Sequence, residues 1–178
     1  MRCWRTIDLE KKYGFHKIAL ISTLVMMLVF SIMFASLQTF FSQTLHDRYF
    51  IVFTVSLILL YPAHKFLHIL PYIRFMHKLT FKCQIKLMVL PVIIVRVKEP
   101  ISKMRFVISL LNPFIILNSL FIIGCAIFPH YIHYFTMLFA FHTGICAIDF
   151  INLKSLIASP KSSYIEENDD GYEILISQ

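Results

Sequence analysis

Charged and apolar positions in this chain are sorted into long blocks. No Asp, Glu, Lys or Arg lies between Lys17 and Asp47, and none lies between Arg105 and Asp149. A helix crossing the hydrocarbon core of a bilayer needs about 20 mainly apolar residues, so the first block holds one span and the second holds two. A further apolar run begins at Tyr49 and ends at Leu70. The pattern predicts an all-α membrane protein with four spans, at about 18–41, 49–70, 106–128 and 134–153, in one integral domain. The first run is longer than the roughly 7–15 apolar residues of a signal-peptide core, and no small-x-small cleavage site follows it, so a retained span is expected. Its polar residues are only Ser, Thr and Gln, which in lipid bond back to their own helix.

Between spans two and three the period changes. Phe81, Cys83, Ile85 and Leu87 alternate with Lys82, Gln84 and Lys86, and Val92–Lys98 is a second, β-branched run after Pro91. Period two marks a strand with one apolar and one charged face, so a β-hairpin lying on the cytoplasmic leaflet is expected here. After span four the chain turns acidic, with Glu166, Glu167, Asp169 and Asp170 together. Residues 154–178 read as a mobile cytoplasmic tail, and Tyr172–Ile176 as a strand-like end able to join that hairpin.

Composition agrees with the pattern: 15% of residues are charged, against about 25% in soluble domains. The net charge of +7 is placed, not scattered. Lys and Arg fall before Ile18, between spans two and three and after span four, with only Arg48 and Lys65 elsewhere. That is the positive-inside arrangement of a plasma-membrane protein with both termini cytoplasmic, its bases facing anionic lipid. It argues against a nucleic-acid partner. Cys3, Cys83, Cys125 and Cys146 form no C-x-x-C pair, and reduced thiols are expected.

Two spans carry residues that are costly in lipid. In Tyr61–Pro71, His64 and His68 lie one turn apart, just after Pro62, which removes a backbone hydrogen bond and kinks the helix. In span four, His142, Cys146 and Asp149 share one face, with Asn152 at its edge, while Ala140 and Gly144 form a small-xxx-small pair that admits a close helix neighbour. Span three carries Asn112–Pro113 near its start. At about 1.5 Å per residue, His64, His68, Asn112 and Asp149 reach one level of the inner leaflet.

An intramembrane Asp costs about 2.5–3.5 kcal/mol on insertion scales and faces a partner inside the bundle. For Asp149 the partner is either a metal held with His64 and His68 or the ammonium of Lys65. Two His at i and i+4 plus a distant carboxylate make a three-donor zinc site with an open fourth position. His142 lies about three turns from the inner end, too deep to ligate directly in an unbroken helix. It is expected around the site with Asn112, Cys146 and Asn152. H-x-x-x-H alone is a weak signal, and Cys146 is most simply a small buried apolar residue.

Together, the HKxxH of a membrane helix, the amphipathic hairpin, the Asn-Pro helix start and the run H-T-G-I-C-A-I-D resemble a zincin peptidase family of bacterial multi-pass membrane proteins with site-2-protease-like organisation. The resemblance runs from Tyr49 to Leu153. It implies a zinc ion held by His64, His68 and Asp149, and peptide hydrolysis within or beside the membrane. It also implies β structure near the site on which an extended substrate adds as a strand, here through Ile85, Leu87 and Val95. The family motif is H-E-x-x-H, whose Glu is the general base; this chain has Lys65 there. The expected function is therefore that of a pseudo-protease that binds a transmembrane peptide or membrane-protein segment, or regulates it, without cutting it. The alternatives are an active intramembrane metalloprotease and a His-ligated haem or redox membrane protein.

Overall fold

The computed structural model describes residues 2–72, 79–86, 90–97, 100–160, 162–168 and 171–176. A strand β1 (Arg2–Ile7) and a short helix α1 (Leu9–Tyr13) lead into α2 (Phe15–Phe41) and α3 (Phe50–Ile69). Strands β2 (Leu79–Lys86), β3 (Leu90–Val97) and β4 (Ile101–Ser102) follow, then α4 (Lys103–Ile127), a 3-10 turn at Pro129–Tyr131, α5 (Ile132–Ile157) and strands β5 (Ser163–Asn168) and β6 (Gly171–Ile176). Helices α2 to α5 are each long and apolar enough to cross a membrane, as a multi-pass membrane protein requires. Helix α4 starts earlier than its apolar run because the Lys103 ammonium turns back to donate to the Ser159 carbonyl at 2.6 Å, keeping its charge at the helix end.

Helix α5 is the centre of the bundle, packed along α2 and α4, with α3 against α4 and α5. Small residues make this possible. A Cβ on Gly144 would lie 3.0 Å from the Ser22 carbonyl oxygen and 3.2 Å from Met26 Cβ, so α2 is the close neighbour that Ala140 and Gly144 admit. A Cβ on Gly124 of α4 would overlap the Phe135 ring. No residue of α2 is buried. Its Thr23, Ser31 and Thr39 hydroxyls donate to Ala19, Met27 and Ala35 carbonyls one turn back, which spares unpaired hydroxyls in lipid.

An all-α description omits one layer. Strands β1, β6, β5 and β4, in that order, form a four-stranded antiparallel sheet. Four antiparallel helices return the start of the chain, the segment before α4 and the end of the chain to one face of the bundle, where they pair. The acidic tail is thus largely sheet. Tyr172–Ile176 does form a strand, but its partners are β1 and β5 and not the central hairpin. The reason is packing: Tyr172 and Ile174 are buried with Ile7, Ile101, Ile165, Phe106 and Leu156 in a core that joins sheet to helices. The acidic residues had masked this apolar alternation.

The central hairpin is present as a separate two-stranded sheet, β2 antiparallel to β3, with Ile85 opposite Pro91 and Phe81 opposite Val95. Leu87, expected with them, lies outside the described residues.

Candidate metal centre

The C-terminal half of α3 presents two imidazoles to α5. His64 Nε2 and His68 Nε2 are 3.0 Å apart, and Asp149 Oδ2 lies 3.5 Å from each. His64 is only 2% exposed, and Asp149 Oδ2 is a buried oxygen with no hydrogen-bond partner. Tetrahedral zinc with bonds of about 2.0–2.2 Å to N and O needs donor–donor edges of about 3.3 Å. The observed edges of 3.0, 3.5 and 3.5 Å bracket that value.

Hydrogen bonds behind the triangle dictate which imidazole nitrogens carry protons, because each link leaves the next no choice of role. Thr143 Oγ1 donates to the Phe139 carbonyl at 2.8 Å, so it accepts from Asn118 Nδ2 at 3.3 Å. Asn118 Oδ1 therefore faces His142 Nδ1–H at 2.8 Å as an acceptor. His142 Nε2 is left with a lone pair and accepts from His64 Nδ1–H at 3.1 Å. His64 Nε2 then faces the triangle as a lone pair.

His68 reaches the same state by a different route. Pro113 has no N–H, so the carbonyl of Ser109, four residues earlier, loses its helical donor. That carbonyl accepts from His68 Nδ1–H at 2.8 Å, so in the neutral ring the His68 lone pair is the Nε2 one, toward the triangle. Two lone pairs and a carboxylate oxygen directed at one point form a cation-binding arrangement of the kind in which the outer nitrogen of each histidine is anchored by its surroundings.

Helix α4 also holds the end of α3. Ser109 Oγ donates to the His68 carbonyl at 2.6 Å and Asn112 Nδ2 to the Leu67 carbonyl at 2.7 Å, satisfying acceptors that the last turn of a helix cannot pair internally. Asn112 thus braces the histidine helix. Asn152 has its side-chain oxygen buried without a partner, and its carbonyl accepts from Tyr172 OH at 3.2 Å. Burial moves the Tyr172 phenol well above its ordinary pKa.

His142 sits closer to the histidine pair than its depth suggested, because His64 is itself one turn deeper than His68. Cys146 joins them, its Sγ 3.5 Å from His142 Nε2 and 3.8 Å from His64 Nδ1. Lys65 does not pair with Asp149, whose carboxylate meets both histidines; its ammonium lies over the Tyr61 ring, 5.9 Å from the centroid. Sequence reasoning missed Ser109, Asn118 and Thr143. Asn118 left a signal, since an amide deep in an apolar helix needs a partner as Asp149 does.

No curated protein and no solved structure matches the chain. The family model described as Putative zincin peptidase matches residues 57–164, a stretch that includes the α3 histidines, the central hairpin, α4 and Asp149, and the chain belongs to that family.

Proposed function

We propose that this protein is a zinc-holding, non-hydrolytic member of its family that binds a segment of another membrane protein. The observation that carries the reading is the triangle of His64 Nε2, His68 Nε2 and Asp149 Oδ2, whose two imidazoles are engaged through their outer Nδ1 atoms by His142 and by the Ser109 carbonyl. An N₂O donor set with room for a fourth ligand suits Zn²⁺. When bound, zinc supplies Lewis-acid polarisation and acidifies a water molecule.

What the four long helices lack is a second carboxylate to take the proton. Asp149 is the only Asp or Glu within α2 to α5, and in this reading it is a ligand. The position of the motif Glu is Lys65, an ammonium held over Tyr61, which has no lone pair to act as base. Binding without cleavage follows. The β2–β3 hairpin, through Ile85 and Val95, is the edge on which an extended segment adds as a further strand. The placement of Lys and Arg along the sequence, before Ile18, between α3 and α4 and after Leu153, supports a cytoplasmic location for both termini, in the plasma membrane. A haem reading is disfavoured, because two Nε2 atoms 3.0 Å apart on one helix leave no space for a porphyrin between them.

Metal analysis of the gently purified full-length protein tests the proposal. About one zinc per chain, lost in both His68→Ala and Asp149→Asn, is expected. Metal-free protein, or metal that survives both substitutions, would sink it. Peptide hydrolysis by the native chain that survives Lys65→Ala would refute the non-hydrolytic part alone.

A further inference from the structure

The imidazole of His64 has two ring nitrogens, and the triangle uses one. On the other face, His64 Nδ1 is 3.1 Å from His142 Nε2, and Cys146 Sγ closes a second triangle at 3.8 Å and 3.5 Å. These three atoms lie within the reach of a single ion. Zinc-like bonds of about 2.0–2.1 Å to N and about 2.3 Å to S predict edges of about 3.3 Å and about 3.6 Å. The observed edges match those lengths as well as the Asp149 triangle matches its own.

We infer that His64, His142 and Cys146 form a second metal pocket, selective for a thiophilic ion and exclusive of the first. Its donor set is N₂S, without a carboxylate, and soft thiolate donors favour Cu⁺, Cd²⁺ and Zn²⁺ over hard cations. The pocket is closed: His64 is 2% exposed, and His142 and Cys146 are fully buried. An ion held there would be screened from substrate by burial. His142 is ready to ligate, since its Nδ1–H is committed to Asn118 and its Nε2 lone pair faces the pocket.

Exclusivity follows when His64 keeps its single ring proton, because ions on both nitrogens would require a bridging imidazolate and a second proton released from this buried ring. With an ion in the Asp149 triangle, that proton sits on Nδ1 and is donated to His142. With an ion in the thiol pocket, the proton moves to Nε2, where the bare Nε2 of His68 accepts it across 3.0 Å. Cys146 binds as thiolate and releases its proton to solvent, so one proton leaves per ion bound, and no bond changes oxidation state. A thiophilic ion therefore withdraws His64 from the Asp149 triangle. The geometry makes His64 a selector between two ions of different softness.

Cadmium titration of the full-length protein in detergent tests this, in a background where Cys3, Cys83 and Cys125 are replaced by Ser. A thiolate-to-cadmium charge-transfer band saturating at one equivalent is expected. It should vanish in Cys146→Ser, Cys146→Ala and His142→Ala and persist in Asp149→Asn. No band in the background protein, a band that survives loss of Cys146, or a band abolished by Asp149→Asn would each overturn the second pocket. Cadmium bound without a thiolate band, and lost in Asp149→Asn, would overturn this pocket while leaving the His64–His68–Asp149 reading intact. Failure of every variant to bind any divalent ion would overturn both.

Discussion

Replacing Asn118 with Leu separates the donors from the hydrogen bonds that orient them. The two side chains are close in size, so the change removes an acceptor more than it changes packing. In the native chain Asn118 Oδ1 accepts His142 Nδ1–H at 2.8 Å. Without it, the buried imidazole either leaves that N–H unpaired, at about 1–3 kcal/mol, or shifts its proton to Nε2. The shift would place two N–H groups head to head across the 3.1 Å contact with His64, so His64 would move its own proton to Nε2, into the Asp149 triangle. Zinc binding must then reverse both shifts. The expected loss is about 10- to 100-fold in zinc affinity, the usual range for the outer partner of a metal-binding histidine, or about 1.4–2.7 kcal/mol, within the unpaired-donor range. Competition against a chromophoric chelator in detergent measures it. Thr143→Val, which only loosens the Asn118 amide, should lose less than Asn118→Leu. Native zinc affinity in a folded Asn118→Leu protein would refute the tautomer argument.

Four further outcomes are expected. In the proposed reading Lys65→Glu supplies the absent base and should gain metal-dependent cleavage of a transmembrane peptide in proteoliposomes; a zinc-loaded variant that stays inert would show that more than the base is missing. Gly144→Val forces branched carbons onto the Ser22 carbonyl and Met26, and overpacking of this kind costs about 1–3 kcal/mol, seen as a lower midpoint of unfolding in SDS. Ser109→Ala removes the 2.6 Å bond to the His68 carbonyl and should cost about 0.5–1.5 kcal/mol in the same assay, with zinc affinity falling alongside. The Tyr172 phenol is raised by burial, so its contribution is complete below the unfolded pKa of about 10 and is lost as pH rises above it; fluorescence of Trp4, the single tryptophan and a residue of the neighbouring strand, should report an alkaline loosening of the sheet that Tyr172→Phe reduces.

The helices were legible because lipid enforces long uncharged runs, and Lys17, Asp47, Arg105 and Asp149 mark the block edges. The hairpin was legible because its alternation is local. The four-stranded sheet was not, since its strands come from both ends of the chain and one of its faces carries acids. Tyr172 and Ile174 read as the end of a tail until Ile7 and Ile101 are known to lie beside them. At the site, the grouping of His64, His68 and Asp149 could be anticipated from depth alone. The roles of Ser109 and Asn118 could not, because each depends on which atom of a neighbouring helix it meets.

Asn112–Pro113 shows how much of the site is set by backbone chemistry. A proline inside a helix normally carries a penalty through the carbonyl it leaves without a donor. Here that carbonyl belongs to Ser109 and takes the His68 Nδ1–H, so the defect in α4 becomes the element that turns His68 Nε2 toward Asp149. Asn112, one residue earlier, ties the same two helices together through Leu67. The remaining imbalance lies in the triangle itself. A single proton placed there would satisfy contacts along two of its edges at once only by sharing, whereas one cation at its centre is bonded by all three atoms. A carboxylate oxygen buried with no hydrogen-bond donor is costly in a membrane, and of the two partners its position permits, the ammonium of Lys65 is turned to Tyr61. The geometry of the histidines, and the absence of a competing cation at Asp149 among the described residues, are what the proposed zinc site rests on.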